Sequence, residues 1–122
     1  MADLSPDAGQ RAFDEAAQDG RLLLGLCRDT GRHFFYPRAT SPFTLSPNVE
    51  FVTAAGTGTI YSVTVARGKQ PYALALVELA EGPRILTNIV ECDLDTLRIG
   101  QAVRLMWQER EGRGPVAMFT PA

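Results

Sequence analysis

At 122 residues, with 45% hydrophobic and 21% charged side chains, the chain is long enough for one domain with its own core, and its composition is neither disordered nor fibrous. A net charge of −2 and a sequence pI near 5.3 lack the strong basic footprint of a general nucleic-acid binder. Leu22–Cys27, the longest apolar run, is far short of the roughly 20 residues of a membrane span; with no secretory signal pattern and only Cys27 and Cys92, the expectation is a soluble cytoplasmic protein without disulfides.

The chain opens acidic, with Asp3, Asp7, Asp14, Glu15 and Asp19 against Arg11. Ser5-Pro6 reads as an N-cap followed by a proline in the first helical turn, and Gly20 as a C-terminal stop, which predicts a helix over 6–19. Its apolar stripe is thin: Ala8, Ala12, Phe13, Ala16 and Ala17. Such a helix either packs loosely on its own domain or lies across a partner or ligand slot.

Residues 21–38 reverse the charge, with Arg21, Arg28, Arg32 and Arg38 against Asp29. Of the 12 basic residues in the chain only Lys69 is lysine, which favours planar, bidentate contact with phosphates or carboxylates, although a charged run is also the ordinary composition of a solvated face. Two apolar strips, Leu22–Leu26 and His33–Tyr36, flank the turn Cys27–Gly31 and predict a hairpin. The segment from Pro37 to Pro47, with Pro42 between, predicts an irregular loop. Positions 27, 30, 41 and 44 carry the C-x-x-C…C-x-x-C spacing of a zinc ribbon, but they read Cys27, Thr30, Ser41 and Thr44. Zinc requires about four thiolate, imidazole or carboxylate donors, and a hydroxyl stays protonated near neutral pH, so no metal is expected here.

From Val49 the pattern turns to β. Val49–Ala54, Thr59–Val65, Tyr72–Leu79, Ile85–Glu91 and Val103–Gln108 are five strand candidates, rich in β-branched and aromatic residues with Gly or Pro between them. A turn or short helix at Asp93–Leu97 interrupts the order late, and Pro115–Phe119 reads as an added edge strand. The predicted class is mainly β, a five-stranded OB-fold barrel after an N-terminal helix and a degenerate ribbon hairpin, with a sandwich as the alternative. The corresponding parts are residues 1–20, 21–48 and 49–122.

No catalytic constellation stands out. His33, the single histidine, lies between Arg32 and Phe34, as packed strand histidines do. Cys27 has nearby arginines but no partner base, and Cys92 reads as a small buried hydrophobe. Gly56-Thr57-Gly58-Thr59 lacks the following G-K-[ST] and helix of a phosphate loop.

Taken in order, Gly20-Arg21-Leu22-Leu23-Leu24, Cys27-Arg28-Asp29-Thr30-Gly31-Arg32, Phe35-Tyr36-Pro37-Arg38, Gly56 to Thr64, Val77-Glu78-Leu79 and Glu81-Gly82-Pro83-Arg84 resemble the acyl-CoA-associated OB-fold proteins. Those proteins carry an N-terminal helix, a rubredoxin-like zinc ribbon and a C-terminal OB-fold. The resemblance implies an accessory subunit, not an enzyme, that shelters an acyl-CoA thioester while a thiolase-like or enoyl-CoA hydratase-like partner acts on it, in lipid, sterol or polyketide metabolism. It places Cys27, Thr30, Ser41 and Thr44 at the family's zinc positions. Under this reading Arg28, Arg32 and Arg38 meet the CoA phosphates, and Phe34, Phe35 and Tyr36 offer a stacking face or an acyl wall. A hetero-oligomer is expected, with no nucleic acid and no membrane. The alternative is a single-stranded nucleic-acid-binding OB-fold, which would use the same arginines and aromatic rings.

Overall fold

The computed structural model describes residues 8–112 and 114–122. They form two compact units, one of the residues up to Ala54 with Glu81–Pro83, the other of Ala55–Ala80 with Arg84–Ala122.

The first unit begins with helix α1, Ala8–Gln18, inside the predicted range; the expected Ser5-Pro6 start lies outside the described residues. Its end follows from Gly20. With φ at +73°, Gly20 lets its own N–H bond to the Ala17 carbonyl at 3.0 Å and the Arg21 N–H to the Ala16 carbonyl at 2.9 Å, which satisfies two carbonyls the helix leaves over. The buried face is made of small residues, Ala8, Gly9, Ala16 and Ala17. A side chain on Gly9 would come within 1.8 Å of the Pro37 carbonyl oxygen, so the thin stripe permits close backbone approach within this unit.

Three antiparallel strands follow: β1 Leu23–Cys27, β2 His33–Phe34 and β3 Val49–Thr53, in the order β2-β1-β3. The predicted hairpin forms, pairing Gly25 with Phe34 and Leu26 with His33. Phe34 lies against Gly25, where a Cβ would fall 2.2 Å from its ring. Leu22, Leu24 and Cys27 are fully buried. Val49–Thr53 differs from the expectation of a first barrel strand. It pairs residue for residue with β1, from Leu23↔Thr53 to Cys27↔Val49, and Ala54 N–H closes onto the Leu22 carbonyl at 2.8 Å.

The second unit is a closed five-stranded barrel, β4 Thr57–Ala66, β5 Tyr72–Leu79, β6 Arg84–Ile89, β7 Ala102–Arg110 and β8 Gly114–Pro121, ordered β4-β5-β6-β8-β7. The tail expected as an edge strand is a full member, paired with β7 from Val103↔Pro121 to Arg110↔Gly114. With β3 removed from the count and β8 added, the interruption moves to its usual OB-fold place between the third and fourth strands. It is a 3₁₀ turn, Leu94–Thr96, capped by the Asp93 carboxylate, which accepts from Asp95 N–H at 3.0 Å. Closure uses a single parallel pair, Ile89↔Phe119, supported by Thr87 Oγ1 donating to the Ala117 carbonyl at 3.1 Å. Alternation on β5 sends Ala73, Ala75, Val77 and Leu79 inward; Ala73, Ile89 and Phe119 fall on one row across β5, β6 and β8, a small residue beside two large ones. A bulge between Ile60 and Ser62 leaves Tyr61 exposed, where the Arg84 guanidinium lies 3.7 Å from its ring centroid.

Candidate functional site

The ribbon-like positions come together inside the first unit. Cys27 ends β1 and Ser41 sits in the long loop, both fully buried. Ser41 Oγ accepts from Phe43 N–H at 3.1 Å and Thr44 N–H at 3.3 Å, while Cys27 Sγ lies 4.0 Å from Thr44 Oγ1. Thr44 Oγ1 donates to Asp29 Oδ2 at 2.9 Å, and Asn48 Nδ2 donates to Asp29 Oδ1 at 2.9 Å. Bonds from Asn48, then Thr44 and Ser46, hold the Asp29 carboxyl below its ordinary range. Burial pushes the Cys27 thiol up, but hydrogen bonds from the Ser41 and Thr30 hydroxyls and the Thr30 and Asp29 backbone outweigh it and set its pKa at about 7.

The donor set is one thiol and three hydroxyls, and no group of three or more His, Cys, Asp or Glu suited to a metal occurs among the described residues. These residues do not fit a structural zinc.

The six residues expected at a ligand site fall into different surroundings. Arg28 donates to Glu50 Oε2 at 2.8 Å from the exposed side of the sheet. Arg32 lies over the Phe43 ring, 3.9 Å from its centroid. Phe34 is 5% exposed and meets Phe43 edge-on, so it is a core residue and offers no stacking face. Phe35 and Tyr36 are brought together, 3.9 Å between centroids, and Phe13 of α1 meets each edge-on at 5.7 Å. Tyr36 is 54% exposed, and Arg38 follows it in an exposed position. Two partners were missed in the sequence, Phe13 and Phe43. Phe13 is the one large apolar residue on a helix of small ones, and that was a usable signal; nothing local marks Phe43.

The barrel unit carries a concavity of about 550 Å³, lined by Gln70, Pro71, Tyr72, Asn88, Ile89, Val90, Glu91, Cys92, Leu94 and Arg110. None of the residues expected at a ligand site lines it. Nearby on the outer face of β5 and β6, Tyr72, Leu74 and Leu86 are exposed. No helix among the described residues is long and apolar enough to cross a membrane.

A small β sheet with a degenerate four-position knuckle, followed by a closed OB barrel, defines a ribbon and OB-fold protein. The ChsH2 rubredoxin-like zinc ribbon domain matches residues 14–40, and the ChsH2 C-terminal OB-fold domain matches residues 51–108. A DUF35 domain-containing scaffold protein of Methanothermobacter thermautotrophicus is 31% identical over 85% of this chain and 84% of its own length. The chain belongs to this DUF35 family of ChsH2-type proteins. It is also 39% identical, over 88% of its length, to a Thermomonospora curvata protein named probable enoyl-CoA hydratase alpha subunit, of which it spans only 36%. The solved structure named Ltp2-ChsH2(DUF35) aldolase superimposes with a TM-score of 0.82 at 34% identity, covering 99% of this chain and 98% of that one. A DUF35 protein of unknown function from Sulfolobus solfataricus, 12% identical with a TM-score of 0.74, shares the fold.

Proposed function

We propose that the chain is a non-catalytic accessory subunit that binds or shelters an acyl-CoA and supports a thiolase-like or enoyl-CoA hydratase-like partner in lipid, sterol or polyketide metabolism. The observation that carries this reading is the likeness, over both units, to the ChsH2(DUF35) chain of a structure named as an aldolase together with Ltp2. The scaffold name of the Methanothermobacter relative and the hydratase name of the Thermomonospora relative support it. The ligand surface is Phe35, Tyr36 and Phe13 with Arg38 beside them, and Arg28 and Arg32 at the loop that follows β1. Arg28 is engaged by Glu50 and Arg32 by Phe43, so each contributes less to a phosphate than an unengaged guanidinium would.

The test is co-expression with candidate thiolase-like and hydratase-like enzymes, capture through a tag on this chain, and mass spectrometry of the eluate for protein and acyl-CoA. A stable complex retaining acyl-CoA is expected. Replacing Arg28, Arg32 and Arg38 together by Ala should lower acyl-CoA retention about tenfold while the complex persists. Retention unchanged in the triple variant removes CoA contact from the account and leaves scaffolding alone; no complex with either enzyme class removes the accessory role.

A further inference from the structure

We propose that the ribbon of this chain is held without metal by a hydrogen-bonded cluster of Cys27, Thr30, Ser41 and Thr44, closed by Asp29 and Asn48, in the frame a zinc ion would otherwise hold. The inference rests on a repeat in the bonding, independent of the functional reading above. In the first turn the Cys27 carbonyl accepts from Gly31 N–H, four residues on, at 2.7 Å, and in the second the Ser41 carbonyl accepts from Leu45 N–H, four residues on, at 2.9 Å. Ser41 Oγ also accepts from Phe43 and Thr44 N–H, two and three residues on, at 3.1 and 3.3 Å. The remaining pair repeats as well: Thr30 Oγ1 accepts from Arg32 N–H at 3.3 Å and Thr44 Oγ1 from Ser46 N–H at 3.4 Å. The three hydroxyl oxygens therefore act as acceptors for the backbone of their own turn, and the two turns face one another across the 4.0 Å contact of Cys27 with Thr44.

What differs is the proton inventory. A zinc site shares two positive charges among deprotonated donors, whereas three of these four groups keep a proton that needs an acceptor. Thr44 gives its proton to Asp29 Oδ2, and Asn48 fills the other carboxylate oxygen. Ser41 has both acceptor sites used by amides, so its proton, like that of Thr30, is left for the Cys27 sulfur, which both hydroxyls hold down in pKa. The cluster is satisfied as it stands, and a cation inserted among three protonated hydroxyls would have to displace these bonds.

Metal analysis of the full chain purified from zinc-replete cells is expected to show zinc far below one per chain, and a chelator is expected to leave its Tm unchanged. Stoichiometric zinc, or unfolding by the chelator, overturns the proposal. Ser41→Ala, which removes the acceptor of the Phe43 and Thr44 amides, should lower Tm by about 4 °C or more; an unchanged Tm overturns the claim that these bonds hold the loop. The triple variant Thr30→Cys, Ser41→Cys, Thr44→Cys is expected to take up one zinc per chain, to show the tetrahedral absorption of cobalt(II) and to lose Tm on chelation. A folded triple variant that binds neither ion shows that the four positions do not keep a ligand frame, which also overturns it.

Discussion

Cys27 carries the clearest pH signature in the molecule. Its thiol is at about 7 in the folded protein against 9.0 for the unperturbed group. Between those values the unfolded chain binds the proton that the folded chain has released, so stability rises with pH from about 7 to about 9, is fully gained above that, and is lost as pH falls through 7. Urea unfolding at pH 6.5 and pH 9 should therefore show the wild type gaining on Cys27→Ser as pH rises; a difference between the two proteins that does not change with pH contradicts the hydrogen-bonded thiolate. Gly25 makes a second residue-scale case. Because a Cβ there falls 2.2 Å from Phe34 Cε2 and Cζ, and that ring is buried against the sheet, Gly25→Ala should cost about 1–3 kcal/mol of unfolding free energy, measurable by denaturant titration. The Leu22-Leu23-Leu24-Gly25-Leu26 run showed an apolar strip, but not that its glycine exists to seat an aromatic from the next strand. Cross-strand contacts depend on register, which no single strip contains.

At the scale of elements, local chemistry was readable where the signal is local. Gly20 stopped the helix as expected, and its positive φ gives a direct test: Gly20→Ala should destabilise the protein by about 1 kcal/mol, seen as a lower denaturation midpoint at unchanged slope. The hairpin across Cys27–Gly31 was legible for the same reason, since Gly31, also at φ +73°, sits in a short turn between two apolar strips. Allegiance of strands to sheets was not legible. Val49–Thr53 has the same β-branched and aromatic composition as a barrel strand, and only its pairing with β1 assigns it to the smaller sheet. Pro115–Phe119 read as an added edge strand, and only its pairing with β7, from Arg110↔Gly114 to Val103↔Pro121, makes it a member of the barrel. Closure of the barrel by that strand is supported by the Thr87 side chain. Thr87→Val keeps the shape of a buried residue and removes its donor to Ala117, which should cost about 1–2 kcal/mol and raise hydrogen exchange at the Val90 amide, bonded to the Phe119 carbonyl at 2.8 Å.

For the whole molecule, the candidate site was half legible. Phe35, Tyr36 and Arg38 were visible as an aromatic and basic cluster in the sequence, but Phe34, the last residue of β2 just before them, is buried, and Phe13 reaches Phe35 and Tyr36 from a helix more than twenty residues earlier. The two units differ in how their cores are closed. The barrel buries Ile60, Val77, Leu79, Ile85, Ile89, Val103, Met118 and Phe119 behind strands that pair around a full circuit, so it needs no staple. The ribbon unit buries mainly Leu22, Leu23, Leu24, Phe34 and small helix residues, and its long loop carries the hydroxyl cluster. Domains of that size ordinarily require a metal, disulfides or a partner to hold together. A fragment of residues 55–122 is therefore expected to unfold cooperatively with dispersed NMR amide signals, while residues 1–54 alone are expected to give a collapsed spectrum that added zinc does not rescue. Dispersed signals from the isolated 1–54 fragment would mean that hydrogen bonds and a small core suffice for this ribbon, and recovery on adding zinc would return the metal to the site.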